Sequence, residues 1–195
     1  TGEYYSPSIT FGTTTLYNTD TSSTGVNFES FIVKYDASGN MQWAHGIGGT
    51  SWDFGYDIVT DVSGNIYVTG LYADSVTFGA TTLSNVNPGA FNIFIAKYNT
   101  VGNVLWAKAA GGSGNYYVQG IAIDAVGNIF ITGSYFSSSM IFGQDTLTNP
   151  GSYKMYIAKL GTANVGVEEN NPTKNISIYP NPSSDIFTFS ERIKT

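Results

Sequence analysis

Asp61-Val62-Ser63-Gly64-Asn65-Ile66-Tyr67-Val68-Thr69-Gly70 returns 63 residues later as Asp124-Ala125-Val126-Gly127-Asn128-Ile129-Phe130-Ile131-Thr132-Gly133. Both copies read as a strand end, a turn, and a second strand. The Asp side chain can accept from backbone N–H groups two residues on, and the Gly supplies the positive φ that a type I turn with a bulge requires. After the turn, apolar and weakly polar residues alternate, the signature of a half-buried strand.

The repeat extends in both directions. Phe31-Ile32-Val33-Lys34-Tyr35-Asp36 recurs as Phe94-Ile95-Ala96-Lys97-Tyr98-Asn99, and again as Tyr156-Ile157-Ala158-Lys159-Leu160. Gly39-Asn40-Met41-Gln42-Trp43-Ala44 recurs as Gly102-Asn103-Val104-Leu105-Trp106-Ala107, and Gly48-Gly49 as Gly111-Gly112. Between residues 31–72 and 94–135, 18 of 42 positions are identical, too many for chance. The same turn recipe appears at Asp36-x-x-Gly39-Asn40 and Asn99-x-x-Gly102-Asn103. Each period therefore predicts four principal strands, over 56–61, 65–72, 92–98 and 104–109 in the central copy. Between the second and third, Phe78-Gly79-Ala80-Thr81-Thr82-Leu83 predicts a short extra strand or hairpin on the sheet edge, matched by 11–16 and 142–147.

Composition agrees. Of 195 residues 15% are aromatic, 23 are Gly and only 11% are charged, the vocabulary of short strands and tight turns. The net charge of −6 and the scattered basic residues argue against nucleic acid as a partner. No apolar run is long enough for a transmembrane helix. With no cysteine, disulfides and thiol chemistry are excluded.

Repeated four-stranded sheets suggest propeller blades. The quoted motifs resemble the bacterial seven-bladed β-propeller repeat, often called the SBBP repeat, over roughly residues 1–160. The resemblance implies an all-β fold of consecutive antiparallel blades with edge inserts, about 63 residues per repeat. Two periods plus partial ends are too few to close a ring, so the chain reads as a fragment of a longer parent. Residues 161–175 are polar and turn-rich and read as a linker. Beyond it, Ile178-Tyr179-Pro180-Asn181-Pro182-Ser183-Ser184-Asp185 resembles the start of the type IX secretion system C-terminal sorting domain of Bacteroidota, so that 176–195 would be its truncated beginning. That resemblance implies the type IX secretion machinery as a partner through Tyr179, Pro180, Asn181 and Pro182. It also implies an extracellular location, secreted or attached to the outer-membrane surface.

No catalytic cluster is evident, and no cofactor or metal is expected. His45, the single histidine, has Lys108 as its counterpart and reads as a solvated strand-end residue. Trp43 and Trp106 occupy matching positions and read as core. Trp52 stands where the next copy has Asn115, in a loop, and is the candidate ligand contact. Asp36, Asp61 and Asp124 read as turn caps, because an EF-type loop would need further oxygens and a distal Glu. Asp53 and Asp57 are unrepeated and do not make a paired-acid site. Asp74-Ser75-Val76 and Asp145-Thr146-Leu147 resemble the short O-glycosylation acceptor pattern of Bacteroidota. The function expected is a non-catalytic extracellular scaffold or binding module, for adhesion or for surface glycans or proteins. An enzyme whose catalytic residues lie in other blades and a passive spacer are the alternatives.

Overall fold

The computed structural model describes residues 1–19, 27–87, 89–149 and 153–161, and the backbone of 165–168, 176–178 and 187–189. The chain opens with β1 (Gly2–Tyr4), a hairpin of β2 (Ser8–Phe11) and β3 (Thr14–Tyr17), then β4 (Glu29–Tyr35) and β5 (Met41–Ile47). The central unit is β6 (Asp53–Thr60), β7 (Ile66–Ala73), a hairpin of β8 (Ser75–Phe78) and β9 (Thr81–Ser84), then β10 (Phe91–Tyr98) and β11 (Val104–Gly111). The next unit repeats this with β12 (Asn115–Ile123), β13 (Ile129–Phe136), β14 (Ser139–Phe142), β15 (Asp145–Thr148), β16 (Lys154–Leu160) and β17 (Val165–Glu168). Two short strands, β18 (Ile176–Ile178) and β19 (Phe187–Phe189), pair with each other.

Three successive antiparallel sheets result: β1-β4-β5, then β6-β7-β10-β11, then β12-β13-β16-β17. They stand in series and do not close a ring. The fold is all-β, made of short antiparallel repeat sheets. The strand reading at 56–61, 65–72, 92–98 and 104–109 corresponds to β6, β7, β10 and β11 with shifted ends.

Two features differ from what the sequence suggests. Val165–Glu168, inside the stretch read as a linker, forms β17 and pairs with β16 in register Leu160↔Val165 to Ile157↔Glu168. Val165 and Val167 alternate with Gly166 and Glu168, a period-two pattern that the polar surroundings mask. The insert hairpins also do not simply decorate their own sheet. The hairpin β14-β15 adds to the preceding one, pairing Ala110↔Phe142 and Gly111↔Ile141. The first junction repeats this in miniature, where Thr77 N–H donates to Gly48 O at 3.1 Å. The inserts β8-β9 and β14-β15 thus tie their sheets to the one before.

Because side chains alternate across a strand, β10 feeds two cores. Phe94, Ala96 and Tyr98 face the first sheet, in a cluster with Ile32, Ile47, Ile66, Val68 and Phe78. Ile93 and Ile95 face the third, in a cluster with Tyr116, Val118, Ile131, Tyr156 and Ala158. Burying one such Ile or Phe side chain contributes about 1.5–3 kcal/mol. The apolar contacts between the sheets therefore hold the array together.

Candidate functional site

The four turns share one geometry. At Asp36, Gly39 N–H donates to Asp36 O, and Asp36 N–H to Asn40 O, at 3.0 and 2.9 Å. The Asp36 carboxylate accepts from Ser38 N–H and Asn40 N–H, each at 2.9 Å. Asp61 with Gly64 and Asn65, Asn99 with Gly102 and Asn103, and Asp124 with Gly127 and Asn128 do the same. The four glycines have φ between 76° and 88°, where a side chain would be strained. The carboxylates of the three aspartates sit below their ordinary range. At Asp36 the Asn40 N–H leads, and at Asp124 the Asn128 carboxamide leads. At Asp61 burial pulls upward, and the donors of Asn65, Tyr67 and Ser63 outweigh it. Their carboxylates serve the turns and the strands beside them, where Gln42 also donates to Asp36 and Tyr67 to Asp61.

Trp43 and Trp106 are half-buried and pack against the two core clusters from outside, instead of lying within them. Each follows the extra residue, Gln42 or Leu105, at which its strand slips register against Lys34/Tyr35 or Lys97/Tyr98. Trp43 stacks on Tyr98 and lies tilted against His45, and its indole N–H donates to Thr100 O at 3.3 Å. Exposed His45 lies parallel to Tyr98. Its counterpart Lys108 sits over Trp106, 5.7 Å from the ring centroid. Asp57 belongs to a sheet junction: its carboxylate accepts from Ile121 N–H at 2.8 Å, at the bulge of β12. Tyr179, Pro180, Asn181 and Pro182 lie outside the described residues.

Trp52 lies just before β6. The residue is 46% exposed, and its indole N–H donates to Asn27 Oδ1 at 2.8 Å. The backbone around it is tied down. Ala73 N–H donates to Trp52 O and Asp53 N–H to Phe28 O, at 2.9 and 2.8 Å. Phe28 and Phe54 press their rings against Trp52 at 5.8 and 6.2 Å. Tyr5 packs tilted against Phe28, while Tyr56 and Phe91 flank Phe54. The result is a fixed aromatic surface at the junction of the first two sheets, with the Tyr5 and Tyr56 rings also exposed.

Beneath it lies a pair of acids that sequence reasoning missed. Glu29 and Asp53 are both buried. Glu29 accepts from the Tyr4 hydroxyl at 2.8 Å, from Thr19 N–H at 2.5 Å and from the Thr19 hydroxyl. Asp53 Oδ2 accepts from Gly49 N–H at 2.9 Å, and Oδ1 has no partner among the described residues. Burial pushes the Asp53 carboxyl up to about 9, against the Gly49 N–H, with the Glu29 and Asp74 charges adding to the rise. Asp53 is thus a neutral acid at pH 7. The Gly48-Gly49 pair makes room for this: a Cβ on Gly48 would fall 2.6 Å from the Glu29 carboxyl carbon. The signal in the sequence is an acid where the repeat has Asn92 or Tyr116. Since both carboxyls are closed off from solvent, they have no reach to a substrate. Among the described residues, no group of three His, Cys, Asp or Glu side chains is placed to hold a metal ion. No described helix is long and apolar enough to cross a membrane.

Comparison with known proteins adds two findings. A family model described as a β-propeller repeat matches residues 105–134. An uncharacterized WD repeat-containing protein of Acanthamoeba polyphaga mimivirus is 30% identical over 141 residues, which is 67% of this chain and 10% of that protein. The chain spans about a tenth of the length of this curated relative. Together with the sheets in series, these matches support a β-propeller-like, all-β repeat protein.

Proposed function

We propose that the chain is a non-catalytic binding module of an exported surface protein, and that the aromatic cluster around Trp52 takes a carbohydrate. The observation that carries the proposal is the half-exposed Trp52 ring, fixed by Asn27 and by the edges of Phe28 and Phe54. A sugar offers an apolar C–H face that stacks on an indole, and an interface centred on a rigid aromatic loses little side-chain entropy on binding. The Tyr5 and Tyr56 hydroxyls are available at the rim for the sugar's polar groups. Export is supported by the resemblance of Ile178–Asp185 to a type IX sorting sequence. In a longer parent, further four-stranded units of about 63 residues would extend the array. Thr146, exposed on the β15 hairpin, is the better placed of the two O-glycosylation acceptors, since Ser75 is half-buried.

The test is glycan-array screening of the full chain, followed by titration calorimetry with Trp52→Ala. The variant is expected to weaken binding at least about tenfold, or about 1.4 kcal/mol. Loss of no affinity in Trp52→Ala, or a wild-type chain that binds no glycan, would sink the proposal.

A further inference from the structure

The two sheet junctions that lie wholly inside the chain differ in charge as well as in packing. At the first, Glu3, Glu29, Asp53 and Asp74 gather around the Trp52 cluster. The matching positions at the second hold Leu71, Asn92, Tyr116 and Ser138. The match follows from the register. Tyr4 pairs with Glu29 as Tyr72 pairs with Asn92, and Asp53 pairs with Tyr72 as Tyr116 pairs with Tyr135. Asp74 O accepts from Asn85 N–H as Ser138 O accepts from Asn149 N–H. Acids thus stand at the first junction wherever the second is neutral.

Each acid is tied to the aromatic surface. Glu29 follows Phe28 and Asp53 follows Trp52 in the chain. Asp74 follows Ala73, whose N–H donates to Trp52 O at 2.9 Å. Glu3 lies beside Tyr56. A Cβ on Gly55, the residue before Tyr56, would fall 3.3 Å from the carbonyl oxygen of Gly2, the residue before Glu3. Burial and then the Glu3 charge raise the Tyr56 hydroxyl. Fully buried Asp53 keeps Oδ1 without a partner among the described residues.

Among the described residues, no Lys, Arg or His side chain balances these acids. Lys34 and His45 sit at the opposite end of the junction, where Lys34 donates to Thr100 O and His45 stacks on Tyr98. Along β4, Lys34 is about 17 Å from Glu29. Lys97 pairs with Asp61, while Lys108 and Lys159 lie over Trp106 and Phe130. Lys154 belongs to β16, in the third sheet.

We propose that the Trp52 surface selects glycans carrying free amino groups and rejects uronates. This selectivity rests on the carbohydrate reading of that surface and adds the charge of the ligand to it. A protonated amine over the Trp52 face gains from the ring quadrupole and from the acids around the ring. A uronate carboxylate in the same place meets Glu3 and Asp74 as like charges, and no basic side chain offers it a partner. Neutral sugars fall between the two.

The experiment is titration calorimetry of the full chain at about pH 5.5, where amines are protonated and ordinary carboxyls ionised. The probes are β-1,4-linked hexasaccharides of glucosamine, N-acetylglucosamine, glucose and glucuronate. The glucosamine oligomer should bind at least about threefold more tightly than either neutral oligomer, and the glucuronate oligomer more weakly than both. Raising NaCl from about 0.02 to about 0.5 M should shrink the spread, because salt screens charges at an exposed surface. Glu3→Gln/Asp74→Asn should bring the glucosamine oligomer close to the neutral ones. Asn suits position 74, where φ is 58°. A glucuronate oligomer that binds as tightly as the glucosamine one, or an amine preference that survives the double variant, overturns the proposal. So does a chain that binds the neutral oligomers with no order among charges, an outcome that leaves the carbohydrate reading standing. A chain that binds none of the four also overturns it, while the carbohydrate reading stands or falls with the glycan array and Trp52→Ala.

Discussion

The two internal junctions of the array have the same backbone plan and opposite contents. At the second, between the central and third sheets, Asn92, Ile93, Tyr116 and Val118 fill the space with apolar side chains and a satisfied amide. At the first, the matching positions hold Glu29, Ser30, Asp53 and Gly55. There the Ser30 hydroxyl and Asp53 Oδ1 are buried without a hydrogen-bond partner among the described residues. Buried polar groups left unpaired cost about 1–3 kcal/mol each. The comparison teaches that the sheet-to-sheet spacing is set by the strands, turns and inserts, and that what fills it is negotiable at a cost in stability. It also places the less stable junction directly under the exposed Trp52 cluster.

The largest effect should come from emptying the well-packed junction. Ile95→Ala removes a side chain that is 1% exposed in the larger core cluster, and should cost about 2–5 kcal/mol in urea denaturation. Ser30→Ala at the weaker junction deletes an unpaired hydroxyl and should be neutral or slightly stabilising. Equal losses from the two would erase the distinction between the junctions.

The first junction should also respond to pH through Asp53. Its carboxyl titrates near 9 in the fold, against an ordinary value of 3.8 in the unfolded chain. Between those values the folded state holds a proton that the unfolded state has lost, so stability falls as the pH rises from about 4 towards about 9. Glu29 and Asp74 face the same carboxyl and reinforce the trend. Asp53→Asn keeps the shape and removes the titration. It should match the wild type near pH 4 and exceed it by a margin that grows with pH from there towards about 9, since each unit is worth about 1.4 kcal/mol. Thermal melts of both proteins across that range check this, and parallel pH profiles would show that Asp53 is not the source.

The parts of this architecture legible in the sequence are the local ones. Asp36, Asp61, Asn99 and Asp124 announce their turns because turn, cap and glycine lie within five consecutive residues. The insert was legible as a hairpin, because Phe78-Gly79-Ala80 carries its own turn. Its partner was not, since pairing of β14 with β11 joins residues about thirty apart and depends on how sheets stack. Trp43 and Trp106 look like core by residue type, and both are half-buried rings packed against the two core clusters. Glu29 and Asp53 lie in separate strands with no shared motif, and only the fold brings them under the Gly48-Gly49 backbone. The half-exposed Trp52 was visible as the residue that breaks the repeat, while the aromatics around it come from different loops and strands.

The smallest effect separates a turn that carries a neighbour from one that does not. Gly102 and Gly127 occupy the same position of the same turn, each with φ of 88°. A Cβ at Gly127 meets nothing within 4 Å, so Gly127→Ala should cost only the strain of a left-handed residue, about 1 kcal/mol. A Cβ at Gly102 would lie 2.7 Å from His45 Nε2 and 3.0 Å from the Trp43 ring. Those side chains reach over from the first sheet, as does Lys34, whose ammonium donates to Thr100 O at 2.8 Å. Gly102→Ala must therefore strain the turn and also push the first sheet's Trp43 and His45 aside. It should destabilise more than Gly127→Ala, with the excess appearing as a change in Trp43 fluorescence. If the two variants are equally destabilised with no spectral change, the contact between the first sheet and this turn contributes nothing to the weaker junction. The polar filling around Glu29 and Asp53 would then be held by the strands and the insert alone.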